Sequence, residues 1–98
     1  MNEITANELE SLLQTNEQCE LIDVREQEEL IFGKIPAAKH IPLEQLIHSI
    51  DTLDKNKQYI LICHSGGRSG MACQYLAAHG YQTVNVVDGM VGWQGAVK

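Results

Sequence analysis

The sequence has no apolar run near the roughly 18 residues that a membrane-spanning helix needs, and no charged start followed by an apolar h-region. The expectation is therefore a soluble, cytoplasmic protein with neither a span nor a secretory leader. Cysteine is scarce: Cys19, Cys63 and Cys73 cannot all pair, and none stands in the CxxC spacing of metal sites or redox dithiols. Free thiols in a reducing compartment follow. Basic residues are few, with 7 Lys and Arg against 13 Asp and Glu for a formal charge of −6, which disfavours nucleic acid and anionic membrane as partners. No internal repeat, linker or low-complexity stretch breaks the chain. Residues 1–98 are expected to form a single domain, and 44 % hydrophobic residues supply one core.

The charge that is present is unevenly spread. Nine of the acids fall within the first thirty residues, whereas Lys55 to Val87 holds Lys55, Lys57 and Arg68 and no acid. A locally positive region of that kind can hold a small anion inside an acidic protein.

Apolar periodicity gives the outline of the fold. Thr5-Ala6-Asn7-Glu8 has the form of a capping box and predicts a helix to about Leu13, with Leu9, Leu12 and Leu13 on its buried face. Leu21 to Val24 reads as a buried strand, and Gln27 to Phe32 as a short helix ended by Gly33. Pro36 and Pro42 bracket an irregular passage in which His40-Ile41 is the one candidate strand. Leu43 to Ile50 repeats at helical spacing, and Tyr59 to Ile62 reads as the central strand. Ser69 to His79 predicts a helix with Ala72, Cys73, Leu76 and, at the margin, Tyr75 on one face, and Thr83 to Val87 predicts a last strand before a loop and short helix. Strands alternating with helices imply an α/β fold, a three-layer domain with a mostly parallel central sheet and helices on both faces. Ligands in that architecture gather at the carboxyl ends of the strands.

The segment Cys63-His64-Ser65-Gly66-Gly67-Arg68-Ser69 lies between the central strand and a helix. A cysteine that ends a buried strand is held rigidly, and two glycines let the following backbone curl so that its amides point inward. The helix adds unpaired N–H groups and the positive end of its dipole. Such a bowl favours thiolate over thiol at Cys63, steers an anion toward it with Arg68 and His64 nearby, and stabilises charge gained on the sulfur. Without that context, a cysteine at a strand end is a small hydrophobe.

This loop resembles that of the rhodanese-like family, and the likeness extends over nearly the whole chain. Leu21 to Glu26 is similar to the family's early strand motif, Gly33 to Pro42 to its Gly-His-Ile-Pro and Ile-Pro signature, and Val87 to Trp93 to its closing glycine and tryptophan segment. The resemblance implies a small sulfurtransferase in which Cys63 takes the outer sulfur of thiosulfate or a related small anionic donor. The resulting persulfide passes its sulfur to a thiol, a partner protein's cysteine or another nucleophile. His64, Ser65, Gly66, Gly67, Arg68 and Ser69 are then the substrate-binding cradle, with Arg68 the anion contact, and no cofactor or metal is implied. The oligomeric state is left open.

Lys34 stands where the family's histidine is common, and Met90 where a second glycine is usual. Both are expected to be tolerated, Met90 with some reshaping of the entrance rim. The loop also differs from those of the two-domain thiosulfate and mercaptopyruvate enzymes, so the donor does not transfer. Three other readings compete. A cysteine phosphatase or arsenate reductase would need five residues between cysteine and arginine, against four here, and a general acid for which only Asp23 and Asp88 are candidates. A persulfide relay or interaction module would dock a partner through the acidic N-terminal third. A metal site would have to use adjacent Cys63-His64, which suits tetrahedral geometry poorly. Among the remaining residues, Asp23 and Arg25 read as a structural ion pair, Cys73 as core and Cys19 as incidental. Trp93 reads as packing for the C-terminal helix or as rim, and His64 as either tuning the thiolate or lying in solvent.

Overall fold

The computed structural model describes residues 2–15 and 19–98. Five strands, β1 (Asn2–Ile4), β2 (Cys19–Asp23), β3 (Lys39–His40), β4 (Gln58–Ile62) and β5 (Gln82–Val86), make one sheet in the order β1-β5-β4-β2-β3. Every pairing is parallel. The sheet is covered by α1 (Ala6–Gln14) on one face and by α2 (Leu43–His48) and α3 (Gly67–Ala78) on the other, with 3₁₀ turns at Gln27–Phe32, Ile50–Thr52 and Gly89–Gly92. This is the expected three-layer α/β arrangement, with β4 at the centre of the sheet.

Side chains alternate across the sheet, and that alternation sorts the core into two clusters. Tyr59, Leu61 and Cys63 face α3 and pack with Ile22, Leu46, Ala72, Cys73 and Leu76. Ile60 and Ile62 face α1 and pack with Leu9, Leu21, Val84 and Val86. The parity of β4 thus points Cys63 toward the start of α3. No helix among the described residues is long and apolar enough to cross a membrane.

The capping box forms as read: Thr5 Oγ1 accepts from the Glu8 amide, and Glu8 accepts from the Thr5 amide at 2.8 Å. Boundaries shift by one or two residues in several elements, as where β2 spans Cys19–Asp23 instead of Leu21–Val24, and four further differences follow. Strand β1 was not foreseen, since three residues are too short to show a period; it pairs with β5, which makes β5 internal. The third strand falls on Lys39–His40, one residue before His40-Ile41. Helix α3 begins at Gly67 because Gly66 adopts φ +97° and serves as its N-cap, two residues before the predicted start at Ser69. At the C-terminus only the 3₁₀ turn Gly89–Gly92 forms, and Lys98 exchanges backbone hydrogen bonds with Lys34 instead of extending a helix.

Candidate active site

The loop from Cys63 to Gly66 joins the end of β4 to α3, and its curl is enforced from the neighbouring turn. The carbonyl of Cys63 accepts from the Met90 amide at 2.9 Å, and that of His64 from the Val91 amide at 3.0 Å. Because a trans peptide directs its C=O and N–H to opposite sides, these two bonds fix the peptide units that carry the His64 and Ser65 amides, and with them the start of the curl. Gly89 permits this contact: at φ +57°, a Cβ there would lie 2.6 Å from the Cys63 carbonyl oxygen and 2.5 Å from that of His64. A Cβ on Gly66 would stand 2.1 Å from the Val87 carbonyl oxygen.

Further along the curl, amides converge on sulfur. Cys63 Sγ accepts from the Gly66 amide at 3.2 Å and the Ser69 amide at 3.4 Å, and lies 3.4 Å from the Ser69 hydroxyl. Cys63 is only 1 % exposed, while His64, Ser65 and Gly67 around it are exposed and form the mouth of the bowl. Burial pushes the thiol up, but the Ser69 hydroxyl and the amides of Ser69, Gly66 and Ser65 together outweigh it and hold Cys63 below the usual thiol range. Cys73, facing the same core, meets the opposite fate: burial pushes it up to about 11. It is a core residue, as read.

Arg68 does not stand free beside the sulfur. Its guanidinium makes a two-pronged ion pair with Glu29, Nη1 to Oε1 at 2.6 Å and Nη2 to Oε2 at 2.8 Å. The Arg68 hydrogen bonds hold the Glu29 carboxyl at about 2, against the weaker upward push of burial. Glu29 comes from the 3₁₀ turn Gln27–Phe32, and Arg25 sets that turn in place. Buried and paired with Asp23 at 2.8 Å, Arg25 also donates to the carbonyls of Glu29 at 3.4 Å and Gly33 at 2.9 Å. Asp23 and Arg25 are therefore the structural pair expected.

Two positions that sequence reasoning missed complete the site. Glu29 lies 39 residues from its partner and left no local signal. Asn85 was legible in principle, as a lone amide inside an apolar strand. On β5, facing α3, it accepts from the Ser69 hydroxyl at 2.5 Å and donates to the Gly66 carbonyl at 3.2 Å, tying the loop to the helix start. Of the departures, Lys34 directs its ammonium to the carbonyls of Ile35 and Ala38, and Met90 lines the entrance.

Beside the mouth opens a cleft of about 380 Å³ lined by Arg25, Phe32, His64, Met90, Val91 and Trp93. Trp93 thus takes the rim position, half-buried against the core on its other side. Neither candidate general acid is free at the loop, since Asp23 is held by Arg25 and Asp88 Oδ1 accepts from the Ala6 amide at 2.8 Å. Among the described residues no group of three His, Cys, Asp or Glu is placed to hold a metal ion.

A parallel α/β domain with a buried strand-end cysteine ringed by amide donors defines a class of cysteine nucleophiles with a built anion cradle. The chain matches the Rhodanese-like domain family over residues 5–96. Over 98 residues it is 44 % identical to "Putative sulfurtransferase YtwF" of Bacillus subtilis, covering 100 % of this chain and 95 % of that one. It is 33 % identical over 95 residues to the thiosulfate sulfurtransferase GlpE of Actinobacillus succinogenes, covering 96 % and 85 % of the two chains. A crystal structure of a rhodanese-like domain protein from Staphylococcus aureus is similar with a TM-score of 0.91 and 35 % identity, over 100 % of this chain and 97 % of that one. The chain belongs to the rhodanese-like family, and the two Bacillus and Actinobacillus relatives carry sulfurtransferase in their names.

Proposed function

We propose that this protein transfers a sulfane sulfur from a small anionic donor, of the thiosulfate or persulfide type, to a thiol or protein-cysteine acceptor through a persulfide on Cys63. The convergence of the Gly66 and Ser69 amides on Cys63 Sγ carries the reading. The thiolate attacks the outer sulfur of the donor, the donor's sulfur–sulfur bond breaks, and its electron pair leaves with sulfite or with the donor thiolate. The terminal sulfur of the new Cys63 persulfide is an anion, which the inward amides and the N-terminus of α3 stabilise without reorganising. An acceptor thiolate then takes that sulfur and returns Cys63 to its starting state. His64, Ser65, Gly66, Gly67, Arg68 and Ser69 serve as the substrate-binding wall. The free thiols of Cys63 and Cys73 fit a reducing, cytoplasmic setting.

The test is intact mass after exposure to thiosulfate or a small-thiol persulfide. The protein is expected to gain the mass of one sulfur atom, lose it to added thiol, and show neither change as Cys63→Ala. No gain with either donor overturns the proposal.

A further inference from the structure

The residue best suited to bind a dianionic donor, Arg68, is already neutralised. Both of its terminal nitrogens are spent on the carboxylate of Glu29, so an incoming dianion meets an ion pair and the Cys63 thiolate instead of an open cation. Glu29 is held for this contact, since its Oε1 also accepts from the Glu26 amide at 2.8 Å and Arg25 fixes the turn that carries it. The adjoining cleft, which Arg25, His64 and Gln94 also line, carries large apolar groups: Phe32, on the same turn as Glu29, is 81 % exposed and Val91 is 65 % exposed, and Met90 and Trp93 line it too. Exposed apolar groups in the cleft, together with a neutralised arginine in the loop, favour a donor with an organic body and at most one negative charge.

Resting on the sulfurtransferase reading, we propose that Glu29 is a specificity-determining residue, which neutralises Arg68 and so selects organic thiol persulfides over thiosulfate as the sulfur donor. The balance of the favoured loading step is simple. The Cys63 thiolate attacks the outer sulfur of the organic persulfide, the new S–S bond to Cys63 replaces the broken one, and the donor leaves as a thiolate. Thiosulfate loading has the same electron balance, with sulfite dianion leaving, but it brings two charges to a site whose arginine is already paired.

The test compares loading rates of Cys63 by thiosulfate and by cysteine persulfide in the full chain, followed by intact mass in single turnover. Glu29→Gln keeps the shape and the hydrogen bond to Glu26 while removing the charge. It is expected to raise the thiosulfate-to-persulfide rate ratio roughly tenfold, the scale of one charge-assisted hydrogen bond released to the substrate. In an Arg68→Ala background the same substitution is expected to leave the ratio unchanged. Should the glutamine variant fail to fold, Glu29→Asp, whose shorter arm parts the two charges, is read on the same ratio and is expected to raise it less. A ratio that stays level or falls in the folded variant overturns the role of Glu29 while leaving the transferase standing. Failure of both donors to load even the parent chain overturns both.

Discussion

Ser69 has one hydroxyl proton and two acceptors for it. Asn85 Oδ1 lies 2.5 Å from the hydroxyl and Cys63 Sγ 3.4 Å, so with a neutral thiol the proton belongs to the amide. Ionising Cys63 changes the contest, because a hydrogen bond to a charged group is worth about 1.5–3 kcal/mol and one to a neutral group about 0.5–1.5. Turning the hydroxyl to the thiolate therefore gains about 1 kcal/mol net. Ser69→Ala removes that gain but keeps the Ser69 and Gly66 amides, so the titration of Cys63 moves upward without losing the bowl. At a pH below both midpoints the thiolate fraction should fall roughly fivefold, since 1.36 kcal/mol corresponds to a factor of ten. The assay is thiolate absorbance against pH, with the Cys63→Ala trace subtracted to remove Cys19 and Cys73. The same variant leaves Asn85 Oδ1 without its donor and should lose about 1–3 kcal/mol in urea unfolding. A thiolate fraction that does not move, in a variant that shows the stability loss, would mean that the proton never leaves Asn85 and that the amides alone hold the anion.

Two further outcomes follow from the ion pairs. Arg25→Ala strands the buried Asp23 carboxylate and frees the turn that carries Glu29, and it should cost about 3–5 kcal/mol of stability in urea; a loss below about 1 kcal/mol would contradict the structural role. Glu29, held at about 2 when folded against an ordinary 4.5, contributes stability that is complete above the ordinary value and disappears as pH falls from about 4.5 to about 2. Both partners of that pair are about one-third exposed, so screening limits the contribution to about 1 kcal/mol. Glu29→Gln should be less stable than the parent by that amount at neutral pH and equal to it near pH 2, and a gap that persists in acid would assign the loss to something other than charge.

The sequence by itself determined the layered α/β fold, because apolar residues at period two and period 3.6 are local properties of short segments. It also located Cys63 and the curl after it, since a buried strand, two glycines and a helix start occupy adjacent positions. The same adjacency made the Asp23 and Arg25 pair and the buried face of α3 legible. Only the tertiary structure decided what faces the loop. Gly89, Met90 and Val91 hold the Cys63 and His64 carbonyls across a gap of more than twenty residues, Asn85 competes for the Ser69 proton from a neighbouring strand, and Glu29 pairs with Arg68. These are meetings of residues distant in the chain, and nothing in the spacing of a single sequence records which charged or polar side chain a fold will bring opposite another. Strand β1 belongs with them, for three residues have no period of their own and became a strand because β5 offered an open edge.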